Sequence, residues 1–460
     1  MIAAARVAAF DVLKVVSLGR ADLPTALAHA RERLPDARDR ALCSEIATGV
    51  ERHRSTLDHL IATFSRRPIE RLDPEVLAVL RLSAYQLLHL TRVPAAAVVD
   101  DAVDLTRRAK KQSATGFVNA VLRSVSRSRR ALPLPPRPTD PSNRSAALEY
   151  LATTLSHPRW LVARWYDRMG FDATERWLQF NNQPAPLTLR VNRLKTTSEA
   201  LLARLESEDV RVLPGRFAPD AVIVDSSAGE GQPLQSQSWT EGWFIVQDEA
   251  SQLISTLAGP SPGPHVLDTC ASPGGKTIAL AAAMGDRGLL VACDVRDKRV
   301  ALLNRTVRIC GASAVRIVQA DAAAPLPFSV QFETVIVDAP CSGLGTLRRD
   351  PDIRWRRREE DLPALAAAQR SMLRHAADAV APGGRLVYAT CSSEPEENEE
   401  VAEAFTAADP DFVAVDAKTI AGVPGTVVDR AGHLRTAPHL HGLEAFFGAV
   451  FERRRTSGRV

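Results

Sequence analysis

The chain has 460 residues, 45% of them apolar and 24% charged, a balance that fits two to four globular domains. No stretch approaches the apolar length of a membrane span, Asp11 and Lys14 break the layout of a signal peptide, and six cysteines without a C-x-x-C pair argue against a disulfide framework or a zinc site. A cytoplasmic, metal-free monomer is expected, with charge unevenly placed: residues 1–145 hold 24 Lys/Arg against 15 Asp/Glu, while the whole chain carries only +4.

Residues 1–130 read as helices. Asp73-Pro74-Glu75 supplies an N-cap, a first-turn proline and a first-turn acid. After it Val76, Val79, Leu80, Leu87 and Leu88 recur at helical spacing. Residues 5–18 and 98–110 show similar faces, and Gly116-Phe117-Val118-Asn119 opens another segment. The basic excess here fits a polyanion partner or a solvated helical face.

Residues 131–145 form a proline-rich linker, where the first boundary is placed. Residues 146–240 read as a small α+β unit: a Trp-rich helical stretch, a strand over Leu187–Asn192, a helix over Thr197–Glu206, and strands at Val210–Leu213 and Ala221–Val224. Its Arg190, Arg193, Lys195, Arg204 and Arg211 suit RNA or plain surface charge.

Residues 241–460 alternate strand and helix. Strands are expected at 266–268, 289–293, 315–319, 334–337, 386–388 and 445–451, which predicts an α/β doubly wound, mostly parallel sheet of the Rossmann-like kind. The first of these strands runs into Cys270-Ala271-Ser272-Pro273-Gly274-Gly275-Lys276-Thr277 and an apolar helix. Such a turn brings backbone N–H groups close to a ligand. A phosphate-binding P-loop would need glycine at position 270, where Cys270 stands. Asp294, Asp321 and Asp338 each end a strand or closely follow one. Three acids at successive strand ends suit a ligand with ribose, amine and adenine donors, a description that fits S-adenosylmethionine.

Cys341, in Asp338-Ala339-Pro340-Cys341-Ser342-Gly343, and Cys391, in Ala389-Thr390-Cys391-Ser392, each follow a strand at the sheet edge. Cys43, Cys293 and Cys310 read as small buried hydrophobes. Beside a methyl donor, a thiolate adding to carbon 6 of a pyrimidine makes carbon 5 nucleophilic. Asp338 could hold a proton against the ring nitrogen.

In these motifs, with Arg348-Arg349-Asp350-Pro351-Asp352 extending the second and Tyr388–Asn398 completing the third, the chain resembles the RNA 5-methylcytosine methyltransferases, the NOL1/NOP2/Sun family. The resemblance covers roughly residues 146–455. It implies Cys391 as the nucleophile and Cys341 as the thiol that assists product release. It also implies that Cys270, Ala271, Ser272, Pro273, Gly274, Gly275 and Lys276, with Asp294, Asp321 and Asp338, bind S-adenosyl-L-methionine. Residues 1–130 resemble the NusB-type helical RNA-binding domain, notably in Leu80–Leu88 and Gly116–Arg123. This fusion resembles the bacterial Sun/RsmB type, and the resemblance implies methylation of a cytosine in small-subunit ribosomal RNA. At His441-Gly442-Leu443-Glu444-Ala445-Phe446-Phe447 the chain departs from the Asp-Gly expected before the paired aromatics. Two other readings stay open here: the same chemistry on transfer RNA, and a non-catalytic RNA-binding or assembly factor.

Overall fold

The computed structural model describes residues 2–91, 93–225, 233–259, 261 and 263–455. The chain forms two compact units, one of Met1–Pro184 with Leu347–Glu359, the other of Ala185–Thr346 with Glu360–Val460.

The first unit begins with seven helices, Ala4–Ser17, Leu23–Arg33, Ala37–Arg52, Arg54–Ser65, Pro74–His89, Ala95–Arg108 and Thr115–Ser128. Asp22, Asp36 and Asp73 cap three of them by accepting from first-turn backbone N–H groups. Their apolar stripes meet in one core that includes Leu13, Ile46, Val50, Val79, Leu82, Ala102 and Leu122. Each such large aliphatic side chain contributes about 1.5–3 kcal/mol by leaving water.

This unit does not end at the proline-rich stretch 131–145, where a boundary was expected. Proline lacks an N–H but keeps its carbonyl, and those carbonyls are tied down: His59 Nε2 meets Pro133 O at 2.9 Å, and Thr154 Oγ1 donates to Pro135 O at 2.7 Å. Thr56 Oγ1 donates to Thr153 O at 2.8 Å, and Leu151 and Trp165 are fully buried. The helices Arg159–Met169 and Phe171–Asn182, read from sequence as part of the small α+β unit, therefore lie in the first unit.

Leu347–Glu359 also folds into this unit, although its Arg348–Asp352 run directly follows the Cys341 motif in sequence. Arg354 is completely buried there. Its guanidinium donates to the carbonyls of Arg52, Ser156, Asn181 and Leu347 and to Asn182 Oδ1, at 2.8–3.4 Å. Trp355 Nε1 donates to Glu51 O at 2.7 Å, and Asp352 Oδ2 accepts from Leu23 N at 3.1 Å.

The second unit holds two sheets. The smaller contains β1 (Thr188–Val191), β2 (Val212–Pro214), β3 (Ala221–Val224) and β4 (Phe244–Val246), all antiparallel in the order β2-β3-β1-β4. β4 lies past the boundary expected at residue 240. Three residues are too few to display a period of two, and Phe244 joins this sheet because it packs with Leu189, Val191, Leu201 and Leu205.

The larger sheet contains β5 (His265–Asp268), β6 (Leu289–Asp294), β7 (Val315–Gln319), β8 (Phe332–Asp338), β9 (Val380–Thr390), β10 (Phe412–Val415), β11 (Leu434–Arg435) and β12 (Phe447–Arg453). Its order is β10-β12-β9-β8-β5-β6-β7, with β11 on β12. β5 to β9 run parallel, and β12 and β10 are antiparallel additions. Side chains alternate between two cores. Val266, Ile336, Val387 and Ala389 face one, and Leu267, Val335, Val337, Leu386 and Tyr388 face the other. Burial on both faces makes these strands continuous apolar runs in sequence. Among the described residues no helix is long and apolar enough to cross a membrane, and no group of three or more His, Cys, Asp or Glu could hold a metal ion.

Candidate active site

Strand order reverses between β5 and β8, and a crevice opens at such a switch point beyond the strand carboxyl ends. A cavity of about 480 Å³ lies there. Cys270, Lys276, Asp294, Asp321, Asp338, Cys341 and Cys391, all anticipated from sequence, line it. Ala271, Ser272, Pro273, Gly274 and Gly275 make the turn between Cys270 and Lys276 and do not line the cavity themselves.

The turn is shaped by Gly274, whose φ of +110° a side chain rarely adopts and whose position caps the helix Gly275–Ala283. Ala271 N donates to Cys293 O at 2.7 Å, fixing the turn to β6. From that helix Lys276 reaches Asp338 Oδ2 at 2.6 Å and Ser251 Oγ at 3.2 Å, and its ammonium lies 5.9 Å from the Phe446 ring centre. Asp294 is steadied by Arg299 Nε at 2.9 Å, and Arg299 also donates to Ser272 O at 2.7 Å. Asp321 Oδ1 accepts from Ala323 N at 2.9 Å.

Beneath the turn Asp268 is fully buried and accepts from Thr277 Oγ1 at 2.7 Å. Burial pushes its carboxyl from an ordinary 3.8 up to about 7. The folded state then holds this proton more tightly than the unfolded state, so the group's stabilisation is complete below about pH 4 and is lost as pH rises through about 7. Asp268→Asn should flatten the fall in stability between those limits, measured by chemical denaturation at a series of pH values. A slope equal to that of the unchanged protein would contradict this.

The two cysteines meet because β8 and β9 are neighbours in parallel register, with Asp338 opposite Ala389. Each strand then delivers its thiol a few residues on, and Cys341 Sγ and Cys391 Sγ lie 3.2 Å apart in a hydrogen bond. That bond, burial and the nearby Glu397 charge hold the Cys341 thiol protonated well above its usual range. Gly345 seals the approach: its N–H donates to Cys391 O at 2.9 Å and its carbonyl accepts from Ala445 N at 2.9 Å. A Cβ at Gly345 would lie 2.0 Å from Ala445 O and 2.7 Å from Cys391 O, so only glycine fits. Burial likewise raises the Cys270 thiol. Cys43, Cys293 and Cys310 are buried in the apolar cores, as small hydrophobes should be.

Sequence reading missed Ser251, Arg296, Arg299 and Met372 in the cavity wall. Arg299 sits near the start of a helix that follows Asp294, which was a usable signal. Ser251 and Met372 carried none. Phe446 lies in the 441–447 run already singled out, and the divergent Glu444 beside it is buried.

Three family models match parts of the chain. Residues 255–452 match the family model described as 16S rRNA methyltransferase RsmB/F, residues 3–127 the NusB family, and residues 157–229 the ferredoxin-like domain of RsmF/B-like methyltransferases. The chain is 34% identical to the probable ribosomal RNA small subunit methyltransferase B of Bacillus subtilis, covering 89% of each. It is 35% identical to ribosomal RNA small subunit methyltransferase B of Pseudomonas putida, covering 91% of this chain and 92% of the relative. The crystal structure of PH0851 superposes with a TM-score of 0.79 at 28% identity, covering 98% of this chain and 99% of that one. At these identities and coverages, the chain belongs to the 16S rRNA methyltransferase RsmB/F family.

Proposed function

We propose that this protein transfers a methyl group from S-adenosylmethionine to carbon 5 of a cytosine in small-subunit ribosomal RNA, through a covalent cysteine–cytosine adduct. The observation that carries the reading is the 3.2 Å approach of Cys341 and Cys391 in the wall of a cavity also lined by Asp294, Asp321 and Asp338.

The residues present fit the donor. Asp294 uses part of its acceptor capacity on Arg299, and a carboxylate has about four lone-pair sites, which leaves room for ribose hydroxyls. Asp321 is exposed at the cavity, and Cys270 and Lys276 line it from the two ends of the glycine turn. The donor supplies an electrophilic methyl on a cationic sulfur.

The remaining chemistry belongs to the chain. Cys391 attacks carbon 6 of the target base, and the ring electrons shift so that carbon 5 becomes the nucleophile. Cys341 lies 3.2 Å from the attacking sulfur, close enough to take part in its later release. Asp338, fixed by Lys276, is assigned to the ring nitrogen of the target base. After methyl transfer the carbon 5 proton passes to water, its bonding pair restores the ring double bond, and the bond between Cys391 and carbon 6 breaks with its electron pair returning to the sulfur. Cys341 assists that last step. The base must leave its stack to reach both thiol and donor.

The seven-helix domain and the small antiparallel sheet are assigned to holding the RNA, and the setting to the cytoplasm. Relatives named for small-subunit ribosomal RNA support that substrate over transfer RNA. Bisulfite sequencing of ribosomal RNA incubated with the protein and donor is expected to reveal a new 5-methylcytosine in the small-subunit RNA. Transfer to another base, to transfer RNA alone, or to no RNA would sink the proposal.

A further inference from the structure

We infer that Glu397 is a positioning residue that sets the spacing of the two thiols, an inference that rests on the covalent reading above. In sequence Glu397 belongs to Glu396-Glu397-Asn398-Glu399-Glu400, which looks like a solvated acidic helix start. In the fold it is completely buried. A carboxylate out of water needs donors for its oxygens. Among the described residues it has three, and none of them comes from a cationic side chain.

Two of those donors come from the residues that immediately follow the cysteines. Ser342 N donates to Oε1 at 2.8 Å, and Ser392 Oγ donates to Oε2 at 2.5 Å. Because the Ser392 proton points to Glu397, its oxygen is left to accept from Ser342 Oγ at 3.1 Å. The third donor, Gln369 Nε2 at 2.9 Å, also holds Pro340 O at 3.0 Å, the carbonyl just before Cys341. Tyr388 OH closes the set on the Glu397 carbonyl at 2.6 Å. One side chain therefore ties the loop of Cys341 to the loop of Cys391, on the residues adjacent to the sulfurs. β8 and β9 bring the loops side by side, and Glu397 fixes their separation.

A trivalent arsenical reads this separation without any methyl transfer. Phenylarsine oxide takes two thiols with loss of water, forming two As–S bonds, and does so tightly only where the sulfurs are already close. The full-length protein should capture it through Cys341 and Cys391, with Cys341→Ala as the control for Cys270. Glu397→Gln keeps the shape but turns one acceptor into a donor facing Ser392. For that variant arsenical affinity should fall at least about tenfold, and single-turnover methyl transfer about 100-fold, as loss of sub-ångström alignment does. Half-saturating donor and RNA concentrations should move less than about threefold, since alignment of reacting groups is lost and not binding. Ser392→Ala, which removes only the hydroxyl link, should show the same pattern and serves if Glu397→Gln fails to fold. Unchanged arsenical capture overturns the inference, whether or not the transfer rate falls. If the unaltered protein methylates no RNA, the covalent reading fails while the arsenical comparison still decides the role of Glu397.

Discussion

Cys341→Ala is expected to accumulate a covalent protein–RNA adduct, while Cys391→Ala forms none and loses methyl transfer by about 10⁴-fold or more, the scale seen when a covalent nucleophile is removed. The two sulfurs are equivalent in distance, each 3.2 Å from the other, but not in surroundings. Cys341 follows Asp338-Ala339-Pro340 after β8 and Cys391 follows Thr390 at the end of β9, and the assignment of attack to Cys391 rests on the resemblance of these motifs. Without Cys341, attack and methyl transfer proceed but resolution stalls. A denaturing gel of protein incubated with donor and labelled ribosomal RNA reads the outcome directly. Adduct trapped by Cys391→Ala instead would reverse the assignment.

Arg354→Leu should destabilise the first unit by about 3–5 kcal/mol. The guanidinium is the donor for four carbonyls and the Asn182 amide oxygen in a fully buried site, and each orphaned buried acceptor costs about 1–3 kcal/mol. An offset comes from relief of the buried charge, because burial lowers the guanidinium to about 9. The orphaned carbonyls outweigh it, since leucine fills the space but donates to none of them. Lysine should not rescue: one ammonium replaces a planar fork that spans several segments. Calorimetry should show the transition of this unit moving to lower temperature in both variants. A loss below about 1 kcal/mol for Arg354→Leu would mean that water or neighbouring donors satisfy these groups.

The parallel strands of the larger sheet were legible because burial on both faces leaves only apolar residues to read. The glycine turn and both cysteine motifs were legible because each is a short run of distinctive residue types at or just after a strand end. What escaped was decided by tertiary burial of polar groups. Glu397 and Arg354 carry charges that a sequence reader places in water, and both are fully buried because donors or acceptors from distant segments converge on them. β4 and β10 are only three and four residues long. The helices of residues 159–182 show ordinary apolar faces, which say that they pack but not against which partner. The proline-rich stretch looked like a spacer because composition reveals missing N–H donors and not the carbonyls that remain.

The return of Leu347–Glu359 to the first unit changes how this chain can be recombined. The amino-terminal module is encoded in two stretches, and the second is embedded in the reading frame of the catalytic domain just after the Cys341 motif. A chimera that exchanged residues 1–184 between relatives would leave Arg354, Trp355 and Asp352 matched to the wrong host. Exchange of these modules is then constrained to carry the 347–359 stretch along, and drift in either stretch must be tracked by the other.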